Sequence, residues 1–174
     1  MSTADDAELA RRARADEAAF AELVARYRDR VFRVCAGVLG DRERAEDAAQ
    51  DTFLKVYRRL DSYDPAHAFS SWLFTAAART AIDMARARKR EREVIATHAD
   101  AVRRARAAAG EDPRLGGLRG LLPRLPADWR AILTLRFAEG MSCADIAKVL
   151  GRTPNAVSVA IYKAKQQLLE WMEG

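Results

Sequence analysis

Apolar residues recur at intervals of three and four along nearly the whole chain, and almost nowhere alternate as a strand requires. Phe20, Leu23, Val24, Tyr27, Val31, Val34 and Val38 form one such stripe and predict a long helix, with Gly37 and Gly40 marking its end. Asp41 is placed to cap the next helix, "RERAEDAAQDTFLKVYRRL", whose buried face is expected to carry Ala45, Ala49, Phe53, Val56 and Leu60. "DSYDPAHAFS" reads as a loop, because Asp64 precedes Pro65 and is biased away from helical backbone. Ser70 is expected to cap a third helix, "SWLFTAAARTAIDMARARKR".

From about residue 92 to 117 the pattern fades, and "GEDPRLGGLRG" has the composition of a linker. The alternative for residues 92–108 is a fourth packed helix of a single domain. Periodicity returns near Leu118. "LLPRLPADWRAILTLRFAEG" predicts a short helical turn, a break at Pro126 and a helix containing Trp129, Ile132, Leu133 and Phe137, ended by Gly140. Ser142 with Asp145 three residues on makes a capping box for a short helix ending at Gly151. Thr153 then caps a longer helix that Pro154 opens. The predicted fold is all-α: two small helical domains, 1–92 and 118–174, joined by a flexible linker, 93–117. Short helix, glycine turn, longer helix is the punctuation of a helix-turn-helix.

Within that last helix Val157, Ile161, Ala164 and Leu168, continued by Trp171 or Met172, should pack on Ile146, Val149 and Leu150. The other face carries Asn155, Ser158, Val159, Tyr162 and Gln166, flanked by Lys163 and Lys165. Asn pairs with an adenine edge, Ser meets base or phosphate, Val contacts a thymine methyl, and flanking lysines hold phosphates. The positions around Ser158, Val159 and Ala160 carry no charge; Arg152, Lys163 and Lys165 replace the cations only in part. A merely solvated helical hairpin is the competing reading of this face.

Charge sharpens the picture. The net charge is +5, and basic residues crowd "MARARKRER" and return at Arg103, Arg104 and Arg106, whereas acidic residues gather in "DRERAEDAAQD". One surface thus suits a polyanion and another a basic protein. Two DNA-facing domains on a tether gain avidity without either binding tightly alone. In "FSSWLF", Phe69, Trp72 and Phe74 are core by default; a partly exposed Trp72 beside Arg79 and Arg86 suits base stacking, with Leu73 and Phe74 more buried.

Cys35 and Cys143 are far apart with no CxxC, and His67 and His98 are solitary, so neither a metal, a cofactor nor a disulfide framework is called for. No apolar run approaches the roughly 20 residues of a spanning helix, and the N-terminus lacks a signal peptide's apolar centre, so a cytoplasmic protein without membrane insertion is expected.

In this order the motifs are familiar. "AFAELVARYRDRVFRVCAGVLGDRERAEDAAQDTFLKVYRRL" followed by "FSSWLFTAAARTAIDMARARKR" resembles region two of the extracytoplasmic-function sigma factors, the small two-domain initiation subunits of bacterial RNA polymerase. "LPADWRAILTLRFAEGMSCADIAKVLGRTPNAVSVAIYKAKQQL" resembles their region four. The resemblance implies that Asp47, Gln50, Asp51, Phe53, Leu54 and Tyr57 bind the clamp helices of the largest subunit of core RNA polymerase, with the flap as a further contact. It implies that Ser70, Ser71, Trp72, Arg79, Thr80, Asp83 and Arg86, with Arg88, Lys89 and Arg90, melt and read the minus-ten element, capturing a flipped base. Arg152, Thr153, Asn155, Ser158, Val159, Tyr162, Lys163 and Lys165 fall where the family reads the minus-thirty-five element in the major groove.

Many members have asparagine where Arg79 stands and another polar residue at Asp83, so the identity of a flipped base does not carry over. Many have lysine, serine and arginine at Ser158, Val159 and Ala160; losing two cations flattens salt dependence by about 0.9 log unit per lost contact. The implied partners are core RNA polymerase, promoter DNA and an anti-sigma factor or other regulator. No C-terminal sensor is expected after region four. A free-standing helix-turn-helix regulator is the alternative; a scaffold or anti-sigma-like protein fits the clustered arginines poorly. No phosphate loop, metal cluster or nucleophile–base pair argues for an enzyme.

Overall fold

A helix of 23 residues, Glu17–Leu39, organises the molecule. Asp16 opens it by accepting a hydrogen bond from the Ala18 amide, and Gly40, in the left-handed conformation, closes it. Its inward stripe is Leu23, Tyr27, Val31, Val34, Cys35 and Val38, all buried. The computed structural model describes residues 3–99 and 120–173, with side chains from Asp5 to Glu91 and from Gly120 to Glu173. In chain order the helices are α1 (Thr3–Arg12), α2 (Glu17–Leu39), α3 (Arg42–Arg58), α4 (Phe69–Ala99), α5 (Ala127–Phe137), α6 (Cys143–Leu150) and α7 (Pro154–Glu173). Short 3-10 turns stand at Leu60–Ser62 and Leu122–Arg124, and no strand occurs among the described residues. The expected linker lies outside the described residues except where α4 runs on to Ala99.

Helices α2, α3 and α4 pack as a three-helix unit. Asp41 caps α3 by accepting from the Arg44 amide, and Ala45, Ala48, Ala49, Thr52 and Val56 turn inward. The expected Ser70 cap is not formed: α4 already begins at Phe69, placing Ser70 inside its first turn.

The N-terminal segment, which carries no strong stripe, forms α1 and docks on α2 through Leu9 and Ala10, with Ala13 just beyond. The half-buried arginine Arg26 donates to Asp5 at 2.7 Å and Asp6 at 3.0 Å and pairs with Glu22. Asp6, itself buried, accepts from the Tyr27 hydroxyl at 2.5 Å. Burial, and then that bond to Asp6, push the Tyr27 phenol above its ordinary range.

The second group of helices does not stand apart. Ala131, Ile132 and Leu135 of α5, Ile146, Ala147 and Val149 of α6, and Val157 and Ala160 of α7 belong to the same continuous core as α1–α4. A smaller cluster, Leu125, Ala164 and Leu168 with Leu133 and Trp171, fills the far end of α7. Gly37 does not end α2; α5 passes close to it. A Cβ there would lie 2.1 Å from the Thr134 hydroxyl oxygen. Beside this crossing Glu139, its side chain 1% exposed, accepts from Arg30 at 2.7 Å and Arg33 at 3.3 Å.

Candidate functional site

Three surfaces are built on this frame. The first is the outer face of α3, where the inward alanines leave Asp47, Gln50, Leu54 and Tyr57 exposed, at the three- and four-residue spacing of one helical face. Leu54 is 56% exposed and Tyr57 45%. Tyr57 leans on Phe20 of α2, ring centroids 4.8 Å apart, which fixes the patch. Asp51 is half-buried and paired with Lys55 at 2.7 Å. Phe53 differs from its expected partners: it is half-buried and packs against the core. The result is an apolar pair with carboxylates at its border, a form suited to a protein partner with basic residues around an apolar groove.

The second surface is α4. Phe69 and Phe74 are core, Leu73 is fully buried, and Trp72 is half-buried between Tyr63 (5.4 Å) and Phe69 (5.9 Å). Ser70 and Ser71 lie half-buried beside it. Farther along, Arg79, Asp83, Arg86 and Arg90 are exposed at steps of four, three and four, with Lys89 exposed and Arg88 half-buried next to them. Thr80 departs from this surface. It is 2% exposed and its hydroxyl accepts from Lys55 at 3.3 Å, because the helix period turns position 80 toward α3. A direct contact to DNA is closed to it in this structure.

The third surface is α7 and the turn before it. Ser142 accepts from the Asp145 amide at 3.1 Å, Gly151 takes the left-handed conformation, and Thr153 accepts from the Ala156 amide at 3.2 Å. These caps fix the angle between α6 and α7. Asn155, Ser158, Val159 and Tyr162 share the exposed face, Tyr162 at 64%. At about 100° per residue Lys163 and Lys165 fall on opposite flanks; Lys165 lies over the exposed ring of Phe137, 5.1 Å from its centroid. The Ser158 hydroxyl donates to the Pro154 carbonyl at 3.1 Å, leaving its lone pairs outward. Ala160 corrects the sequence reading. It is buried at 6%, on the side of Val157 and Ala164, off the exposed face that Asn155, Ser158, Val159 and Tyr162 share. Ile161 is only half-buried and Met172 is exposed, so Trp171 continues the apolar side.

Two of the expected DNA ligands are brought together. Arg86 of the second surface donates to both carboxylate oxygens of Asp128, at 3.0 and 3.1 Å. Arg152 of the third pairs with the same carboxylate. Asp128, Glu139 and Gly37 were not among the sequence candidates. Asp128 reads as an acid in the first turn of a helix, an ordinary dipole-complementing position, and nothing local marks its distant partners.

Among the described residues no group of three or more His, Cys, Asp or Glu is arranged to hold a metal, and no helix is long and apolar enough to cross a membrane.

Comparison with known proteins adds a family frame. Residues 23–91 match Sigma-70 region 2, and residues 115–168 match Sigma-70, region 4. The chain is 33% identical over 162 residues to the ECF RNA polymerase sigma factor SigE of Mycolicibacterium smegmatis, covering 87% of this chain and 60% of that one. Against the ECF RNA polymerase sigma factor SigD of Mycobacterium tuberculosis it is 33% identical over 172 residues, covering 94% of this chain and 81% of the relative. The solved structure of CnrH in complex with the cytosolic domain of CnrY shares the fold, with a TM-score of 0.68, 24% identity and 97% of each chain covered.

Proposed function

Since the chain belongs to the extracytoplasmic-function (ECF) RNA polymerase sigma factors, a family of non-enzymatic initiation factors, we propose that it serves as an alternative sigma factor whose three surfaces divide the work of initiation. Region two, residues 1–92, docks on core polymerase through the outer face of α3, with Asp47, Gln50, Asp51, Leu54 and Tyr57 touching the clamp helices and Phe53 setting the patch from behind. The same region opens and reads the minus-ten element with Ser70, Ser71, Trp72, Arg79, Asp83 and the cations from Arg86 to Arg90, Thr80 acting as a support to Lys55. Region four, residues 118–174, reads the minus-thirty-five element with Asn155, Ser158, Val159 and Tyr162, while Thr153, Arg152, Lys163 and Lys165 hold the backbone and the flap offers a further contact. The protein acts in the cytoplasm, on the nucleoid when bound to polymerase, and carries no catalytic step of its own. An anti-sigma factor or other regulator belongs to this reading, because the open Leu54–Tyr57 patch is available to a competitor.

The observation that carries the proposal is this patch: two large apolar side chains held out by a helix whose other face is core. Leaving them in water is unfavourable, and a polymerase surface removes them from it. Run-off transcription and core-binding titration test it. Leu54→Ala with Tyr57→Ala weakens core binding about a hundredfold, the loss expected of two central interface residues, while the fold is kept with only the small loss of stability that removing the Tyr57–Phe20 ring contact brings. Absence of core binding and of any promoter-specific transcript from the unaltered protein, across a promoter library, overturns it. The helix-turn-helix regulator alternative predicts the reverse: tight duplex binding without core.

A further inference from the structure

Arg14 stands in the turn between α1 and α2, outside both spans that match the sigma family. Its backbone is fixed on either side. The Arg12 carbonyl accepts from the Ala15 and Asp16 amides, both at 3.0 Å, Ala13 is buried, and Asp16 caps α2. From there the guanidinium reaches 49 residues along the chain, its Nη2 donating to the main-chain carbonyls of Tyr63 at 3.1 Å and Asp61 at 3.3 Å. The Asp61 carboxylate lies 3.7 Å from Nε but is 92% exposed, so the carbonyls are the contacts that hold. They belong to the segment leading from α3 into α4. Tyr63, itself buried, carries the contact inward. Its hydroxyl donates to the His67 carbonyl at 2.7 Å, across an exposed bend, and its ring lies 5.4 Å from both Phe69 and Trp72. The bend closes on Asp64, whose carboxylate accepts from the Ala66 amide and whose carbonyl accepts from that of His67. The opposite wall is held from the same terminal segment: Asp6 of α1 accepts from the Tyr27 hydroxyl, and the Tyr27 ring meets Phe69 edge-on at 5.7 Å.

We propose that Arg14 is a positioning residue for minus-ten recognition, with α1 as its mount. Through Tyr63 it sets the height of the 61–68 loop above the Trp72 indole, and so the width of the slot that takes an unpaired base. The inference rests on the assignment of Ser70, Ser71 and Trp72 to that element. Arg14 itself touches no nucleotide. A slot for a flipped base has to exist before the base arrives, because unstacking already opposes binding and ordering a loose loop would oppose it further. A short exposed loop has few contacts of its own to meet that need. A charged donor bridging two of its carbonyls, mounted on a turn between two packed helices, gives it a fixed point.

Holoenzyme assembled from the full chain and core polymerase tests this. The probes are single-stranded non-template oligonucleotides carrying the minus-ten element of a promoter from the run-off library, each position varied in turn. Arg14→Ala should weaken binding of the preferred sequence about tenfold, the loss expected of a charged hydrogen bond, and compress the spread of affinities at one position. Core affinity, and binding of a duplex carrying only the minus-thirty-five element, should stay as they are. Arg14→Lys, which keeps the charge on a shorter stem, should restore part of the preference. Tyr63→Phe keeps the rings in place but removes the bond to His67, and should compress the spread at the same position. A merely structural tie would instead give a uniform loss across all the oligonucleotides, tracking a fall in melting temperature. That pattern, or a preference that survives Arg14→Ala, overturns the inference alone. Unaltered protein that binds core yet shows no preference among the oligonucleotides overturns the minus-ten assignment, and the inference with it.

Discussion

Cys35 shows how far one buried side chain can report on the whole fold. It is fully enclosed, and burial pushes its thiol up to about 12 from an ordinary value of 9.0, a contact with Thr52 offsetting part of the rise. A thiol whose folded-state value is raised contributes stability that is complete below the unfolded value and is lost as pH climbs toward the folded one. Between pH 9 and about 12 the unfolded chain therefore releases a proton the folded chain keeps, and this site lowers stability by about 1.4 kcal/mol per pH unit. Cys35→Ala should be less stable at neutral pH through its cavity but show a shallower alkaline decline, as urea midpoints across that range would establish. The buried Asp6 makes a second residue-scale case. Asp6→Ala leaves the Tyr27 hydroxyl without its acceptor and takes one partner from Arg26, and should cost about 1–3 kcal/mol in chemical unfolding. Core binding should be spared, since α3 is untouched.

At the scale of the element, α7 divides into a face that tolerates charge and one that does not. Val159 is 42% exposed among the proposed base contacts, whereas Ala160, one residue on, is enclosed. Val159→Lys should steepen the salt dependence of promoter binding by the holoenzyme by about 0.9 log unit per decade of salt, one added phosphate contact. Ala160→Lys should gain nothing at DNA and lower the melting temperature, because a cation forced into the core has no partner. The sequence reading grouped positions 158, 159 and 160 as exposed; the helical period separates Ala160 from the other two. The same arithmetic explains most of what the sequence reveals. The stripe from Leu23 to Val38, the Asp41, Ser142 and Thr153 caps and the Gly151 stop are local statements, and the helices form where they point. Ser70 misled because a serine before an apolar run is a cap only if the helix has not yet begun. α1 escaped notice because its apolar anchors are Leu9 and Ala10, with Ala13 just past its end, too little to make a visible stripe.

For the whole molecule, pairwise patterns along the chain say nothing about which surfaces meet. Arg86, Asp128 and Arg152 are each unremarkable locally, and their convergence appears only when helices separated by the linker are placed in space. One core spans both groups of helices, so the unaltered protein should melt in a single calorimetric transition. Gly37→Ala, by forcing Thr134 of α5 away from α2, should divide this into two transitions. A single transition in both proteins would mean that the regions remain coupled without the Gly37 contact.

Gly37 also offers a clock. Gly37 stands in the last turn of α2, where glycine holds the backbone less tightly than alanine would and Thr134 covers it. When α5 lifts, the amide protons around Gly37 lose their cover while those near Leu23 keep theirs. Deuterium entering the two halves of one helix at unequal rates would time the opening, without a label and without a partner present.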